Sequence, residues 1–227
     1  MAFTLDKVVP WGRSYAEYVS MFSLSEADLG RHILGCGDGP AGFNAELTQC
    51  GGHIVSVDPV YMFDVEQIKS RIAETYETVM AQTLENQRDF IWDVIPSIEA
   101  LGEIRMTAMD TFLADFELGK QQGRYLAGEL PALPFEDRQF DMALSSHFLF
   151  LYSAHLSAEF HLQAVQEMLR VAREVRIFPL LALDGAISPY LSQVCEEFTG
   201  RGFDVQIVKV NYEFQRGGNQ MLVIKPK

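Results

Sequence analysis

RHILGCGDGPAGFNAELTQCGGHIVSVDP, residues 31–59, contains the turn that decides the fold. A short apolar run from Arg31 to Gly35 leads into Gly35-Cys36-Gly37-Asp38-Gly39, and FNAELTQC behind it has helical character. Gly51 and Gly52 then break the chain before HIVSVD, a strand pattern ending at Asp58. Strand, glycine turn, helix and strand inside residues 31–58 make one β-α-β unit. The same alternation continues downstream, which predicts an α/β fold with a mostly parallel sheet.

Beyond Asp58 the next convincing strand is GRYLAG, Gly123 to Gly128. A connection of that length inside a compact domain must carry structure of its own. Val65, Ile68, Ile72, Tyr76 and Val79 follow helical spacing. Phe90, Ile91, Val94, Ile95 and Ile98 form a second such face, and Met109, Phe112, Leu113 and Phe116 a third. Residues 62–121 therefore read as a helix extending from the crossover plus a helical insert, placed to act as a lid. The chain is read as a single domain over 1–227 that includes this insert. The strand FDMALSS begins at Phe140, a helix runs near Ser157 to Val171, and the strand EVRIF ends before Pro179. A helix near Pro189 to Thr199 precedes two last strands, FDVQIVKVNYEF and QMLVIK. The link between them, about Gln215 to Asn219, is too short for a parallel crossover, so the pair must be antiparallel.

Eighteen Lys and Arg against 31 Asp and Glu give a net charge of −13. That balance argues against broad binding to nucleic acid or to an anionic membrane, because both need a cationic face. Three cysteines, Cys36, Cys50 and Cys195, are too few and too scattered for a disulfide framework, and no pair has zinc-site spacing. No metal is expected. No apolar run reaches membrane-spanning length, and MAFTLDKVVPWGRS does not read as a signal peptide. The expected compartment is a reducing cytoplasm.

The glycine turn suits a ligand that approaches the backbone closely. The helix after it would present free N–H groups and its positive end. Asp58 closes the second strand, where a carboxylate can accept both hydroxyls of a ribose. A dinucleotide site wants its third glycine at position 40, which is Pro40 and has no N–H. Asp38 would also place negative charge beside the phosphates. A nicotinamide-dependent oxidoreductase is therefore disfavoured, and a ligand with a ribose and a zwitterionic amino acid but no phosphate meets neither objection.

ILGCGDGPAGFNAEL, VSVDP and AGELPALPFEDRQFDMALSSHFLFLY, in that order, resemble class I S-adenosylmethionine-dependent methyltransferases over roughly residues 30–180. The third block is similar to the small-molecule branch that includes quinone-biosynthesis methyltransferases. The resemblance implies a seven-stranded Rossmann-like sheet in the order 3-2-1-4-5-7-6, with only the strand at 219–225 antiparallel. It implies S-adenosylmethionine as cofactor and methyl transfer to a small-molecule acceptor. The alternative it leaves open is a cofactor-binding relative without turnover. By position, Gly35, Gly37 and Gly39 would border the methionine and ribose of the cofactor, and Asp58 would hold the ribose hydroxyls. Pro59 and Val60 would lie against the adenine, Glu129 near its amino group, and the Leu130 N–H on its ring. Ser145, Ser146 and His147 would lie near the sulfonium and the acceptor. Where the family has an acid two residues before the first glycine, this chain has Ile33, so the cofactor's ammonium needs another partner.

His147 reads either as a general base or as a packing residue beside Phe148 and Phe150. Cys36 reads as a small filler without a neighbouring base. In the N-terminal segment, Arg13 suits a bidentate pair with the methionine carboxylate, and Tyr15 and Tyr18 could wall the methyl-transfer site. The plainer reading of this segment is a packed helix with an exposed arginine.

Overall fold

Alternation along the central strands builds the molecule. The computed structural model describes residues 9–227; the first eight, on which the reading of a leader peptide partly rests, lie outside the described residues. Helices α1 (Tyr15–Met21) and α2 (Glu26–Leu29) precede β1 (His32–Cys36). In β1, Ile33 packs on one face with Met142, Leu144 and Val223, while Leu34 packs on the other with Ala143, Val175 and Leu222. This period-two pattern, with both faces apolar, is what a sheet covered on both sides requires. Helix α3 (Phe43–Gln49) follows the glycine turn and leads to β2 (His53–Val57).

The remaining elements are α4 (Val65–Glu85), α5 (Ile98–Gln121), β3 (Tyr125–Leu126), β4 (Phe140–Ser146), α6 (Ala158–Val171), β5 (Ala172–Phe178), α7 (Leu191–Gly200), β6 (Phe203–Lys209) and β7 (Gln220–Pro226). The seven strands lie in the order β3-β2-β1-β4-β5-β7-β6. All neighbours pair in parallel except β7, which is antiparallel to both β5 and β6. This is the order and the reversed strand expected from the sequence. The hairpin link is longer than expected, because β6 stops at Lys209. Val210 N–H still donates to the Asn219 carbonyl at 2.9 Å, and Tyr212 turns inward, 7% exposed.

The stretch 62–121 holds two long helices, although apolar spacing predicts three helical faces. Asp64 caps α4 in a reciprocal box with Gln67. Ser97 caps α5, with Pro96 just before it. Residues 90–97 are not helical; Phe90 instead stacks on Phe214 with ring centroids 4.8 Å apart, and Trp92 meets Phe214 edge-on at 5.4 Å. Ile91 N–H donates to the Phe214 carbonyl at 2.7 Å, which docks this segment on the β6–β7 connection. Helix α5 docks on the rest of the domain through buried side chains. Its Met109, Phe112 and Phe116 pack with Tyr61 and Tyr125, and its Asp115 holds Arg124 through two bonds of 2.6 and 2.7 Å.

Candidate functional site

Three cavities lie along the C-terminal ends of β1, β2 and β4. The largest, about 870 Å3, is lined by Gly37, Gly39, Asp58, Pro59, Val60 and, across from them, Glu129. Leu130 also lines it, as do Gln67 and Ile68 of α4. Its size falls in the range of small-molecule sites, about 300–1,000 Å3. A second cavity of about 40 Å3 shares Gly37, Gly39 and Asp58 with it and adds Arg13, Asp38 and His147. A third of about 110 Å3 shares Arg13 and His147 with the second and extends among Trp11, Tyr152, Phe178 and Phe214. The shared residues place the three in a row.

Seven of the residues singled out in the sequence thus meet at the large cavity: Gly37, Gly39, Asp58, Pro59, Val60, Glu129 and Leu130. Arg13, Ser146 and His147 meet at the small one. Gly35, Ser145 and Tyr15 line none of the three cavities. Ser145 is fully buried in β4, and Tyr15 stacks on Phe43 at 5.5 Å. Tyr18, one turn further along the same face of α1 and also stacked on Phe43, does line the small cavity.

The glycine turn is shaped by two carboxylates. Gly37 and Gly39 have positive φ, which lets the loop fold back over β2. Asp58 Oδ2 accepts from the Gly39 N–H and Oδ1 from the Val60 N–H, both at 2.8 Å. Each oxygen keeps a lone pair for a further donor. Burial pushes the Asp58 carboxyl up to about 6, against the pull of those two N–H groups. Asp38 folds back onto β1, so that a Cβ on Gly35 would stand 1.7 Å from its Oδ2. Gly35 therefore makes room for a carboxylate and does not face a cavity. Asp38 accepts from Ser56 Oγ at 2.7 Å and from Tyr18 Oη at 2.9 Å. Burial raises it to about 6, the two hydroxyls oppose this, and the Asp58 charge adds to it. Among the described residues these two carboxyls lack a cation, and a ligand with a positive group and a pair of hydroxyls fits them.

Asp38 entered the sequence reading only as an objection to phosphate. In space it lines the small cavity, whereas the Ile33 side chain is buried in the core.

Arg13 Nη1 donates to the Trp11 carbonyl at 2.6 Å, and its Nε is buried without a partner among the described residues. Burial, and then the Arg105 charge, push the Arg13 guanidinium down to about 10. His147 sits just past β4 with φ of 51°, a left-handed conformation that costs a non-glycine residue energy and marks functional sites. Its N–H donates to the Phe178 carbonyl at 2.7 Å, and its Nδ1 lies 3.0 Å from Ser146 Oγ. Burial, followed by the charges of Arg13 and Arg105, holds the ring well below the usual histidine range and therefore neutral. Burial pushes the Cys36 thiol up, so it is inert. Among the described residues no group of three His, Cys, Asp or Glu side chains is placed to hold a metal, and no helix is long and apolar enough to cross a membrane.

Sequence reading missed a buried charge cluster beside the third cavity. Glu17 forms a capping box with Ser14 at the start of α1. The same carboxylate accepts from Arg105 Nη1 at 2.5 Å and from Tyr212 Oη at 2.7 Å. One signal was available: Arg105 lies four residues from Leu101 and four from Met109, on the apolar face of α5.

No family model matches the chain. It is 33% identical over 223 residues to the uncharacterized protein MJ0045 of Methanocaldococcus jannaschii, covering 97% of both chains. Among solved structures it is similar to magnesium protoporphyrin IX methyltransferase (ChlM) of Synechocystis PCC 6803. With bound SAH that enzyme has a TM-score of 0.50 and 11% identity, over 94% of this chain and 82% of the other. With bound SAM it has a TM-score of 0.49 and 12% identity, over 94% and 78%. At such identities the likeness shows the fold, and it agrees with the strand order found here. The close match along nearly the whole length carries more: the chain belongs to the family of the Methanocaldococcus jannaschii protein MJ0045, built on the class I methyltransferase fold.

Proposed function

We propose that this protein transfers a methyl group from S-adenosylmethionine to a small-molecule acceptor. The observation that carries the reading is the pairing of Asp58 and Asp38, two buried carboxyls without a cation among the described residues, on either side of the glycine turn at linked cavities. Asp58 would hold the ribose hydroxyls, with Pro59 and Val60 against the adenine and Glu129 and the Leu130 N–H at its edge. Asp38 would take the ammonium group and Arg13 the methionine carboxylate. When bound, S-adenosylmethionine supplies an electrophilic methyl on its sulfonium.

The chain's own part is alignment and exclusion of water. Phe148 borders both the large and the small cavity, and α4 with the docked 90–97 segment closes the far side. His147, neutral and shared by the small and third cavities, is placed to accept a proton from an acceptor hydroxyl or amine as the new bond forms. The third cavity, about 110 Å3 and largely aromatic, suits a small acceptor.

Asp58→Ala tests the reading. Loss of charge-assisted bonds to the ribose should weaken S-adenosylhomocysteine by ~1–3 kcal/mol in titration calorimetry. Unchanged affinity, or tight binding of a nicotinamide dinucleotide by the wild type, would overturn the cofactor assignment. Formation of S-adenosylhomocysteine with an acceptor would separate the enzyme from a mere binder.

A further inference from the structure

The third cavity carries an unbalanced charge. Arg13 and Arg105 both border it, and among the described residues the acid paired with Arg105 is Glu17. Arg105 is fully buried; burial alone would raise the Glu17 carboxyl, but the charges of Arg105 and Arg13 outweigh it and hold the carboxyl down at about 2, so Glu17 stays ionised. His147 is neutral, and burial raises the Tyr212 and Tyr152 phenols, so neither adds a negative charge. Among the described residues the cluster therefore carries one positive charge in excess until a cofactor carboxylate meets Arg13, in surroundings where an uncompensated charge is costly.

The donors show where the missing anion belongs. Arg105 gives Nη1 to Glu17, while its Nε and Nη2 are buried with no partner among the described residues. Those two nitrogens form one edge of the guanidinium, the edge that grips a carboxylate with two parallel bonds. Arg105 lines the third cavity and neither of the other two. Much of the remaining wall is apolar, with Trp11, Leu101, Phe178, Leu183 and Phe214 bordering the cavity. Its volume of about 110 Å3 approaches that of an engineered cavity of ~150 Å3 that admits benzene.

The geometry points to an acceptor that is a small carboxylic acid with one ring or a short branched chain, its carboxylate on the Nε–Nη2 edge of Arg105 and its apolar part among the aromatic side chains. With the methionine carboxylate on Arg13, a monoanion on Arg105 adds one negative charge and a phosphate dianion two, so the site favours a monoanion. This rests on the methyltransferase reading for calling the ligand an acceptor, while the anion site stands on the unpartnered Nε–Nη2 edge of Arg105 at the cavity. The same carboxylate chemistry has a second source, the methionine end of the cofactor, and the test separates the two.

Benzoate, cyclohexanecarboxylate and benzamide are titrated by ligand-observed NMR into the full chain saturated with S-adenosylhomocysteine. The acids should bind at least about tenfold tighter than the amide, as a bidentate charged pair implies. In Glu17→Gln/Arg105→Met, which removes both partners of the buried pair and so avoids an orphaned charge, that preference should vanish. S-adenosylhomocysteine affinity in that variant should stay within about twofold. Arg105→Lys keeps the charge without the fork and should retain part of the preference. Equal binding of acid and amide by the wild type, or no acid binding at all, overturns the proposal. So does a double variant that loses S-adenosylhomocysteine while keeping benzoate, since Arg105 would then serve the cofactor. If the wild type binds the acids in an Arg105-dependent way but never S-adenosylhomocysteine, the anion site stands and the methyltransferase reading fails.

Discussion

Glu17→Gln should destabilise the protein by several kcal/mol although the side chain keeps its size. Burial alone would raise the Glu17 carboxyl, but the charges of Arg105 and Arg13 and the bonds from Arg105 and Ser14 outweigh it. A carboxyl held at about 2, against an ordinary 4.5, corresponds to about 3 kcal/mol of folded-state stabilisation at neutral pH. The figure agrees with the ~3–5 kcal/mol lost when one partner of a buried pair is removed. For a chain of this length each kcal/mol shifts the melting temperature by about 2–4 °C, so the variant should melt roughly 6–12 °C lower in calorimetry at pH 7. Adding Arg105→Met should recover much of the loss, because the stranded guanidinium disappears. The sign of the pH effect is fixed. A depressed carboxyl contributes fully above its ordinary value and loses its contribution as pH falls toward its folded value. The gap between wild type and variant should therefore shrink to about 1.4 kcal/mol at pH 3. A variant that melts with the wild type at pH 7, or a gap unchanged at pH 3, would refute the reasoning.

Asp38 and Asp58 work in the opposite sense. Both are raised to about 6 from 3.8, so the folded chain keeps protons that the unfolded chain has released, and stability without ligand should fall as pH rises from about 4 to 6. A cationic ligand needs them ionised, so S-adenosylmethionine affinity should rise through the same window; calorimetry at pH 5.5 and 7.5 checks this, and a flat profile counts against it. Gly35→Ala drives a methyl into the Asp38 carboxylate and should weaken S-adenosylhomocysteine binding markedly in the same calorimeter, although residue 35 lines no cavity. Deleting 86–118 removes Arg105, Phe112 and Phe116, each aromatic contributing ~3–5 kcal/mol, so the shortened chain should show no cooperative melt by circular dichroism.

The sheet was legible because its signals are local. The glycine turn, the Gly-Gly break and the short last link each constrain topology within a few residues. The expected helix at Phe90 to Ile98 failed for an equally local reason: Pro96 and the Ser97 cap start a helix where that pattern would end one. Its aromatic residues pack on Phe214, more than a hundred positions away, and spacing does not encode such a partner. The large cavity was legible in part, since the seven residues expected there fall in three contiguous motifs, while its α4 wall gives no such signal. Asp38 and Arg105 were not, because the meaning of a buried charge lies in what surrounds it. Asp38 takes its role from Tyr18 and Ser56, and Arg105 from Glu17 and Tyr212.

Glu17 accepts from Arg105, 88 positions along the chain, and from Tyr212, 195 positions along. Closing loops of that length is entropically expensive, so such contacts form late in folding. On a chain leaving the ribosome from its N-terminus, the elements around the large cavity, up to Phe160, emerge well before Tyr212 does. The large cavity can thus take shape while Arg105 and Glu17 still await their phenol and the aromatic wall at Phe214. The third cavity closes after the large one, and its chemistry waits for the chain that follows β5.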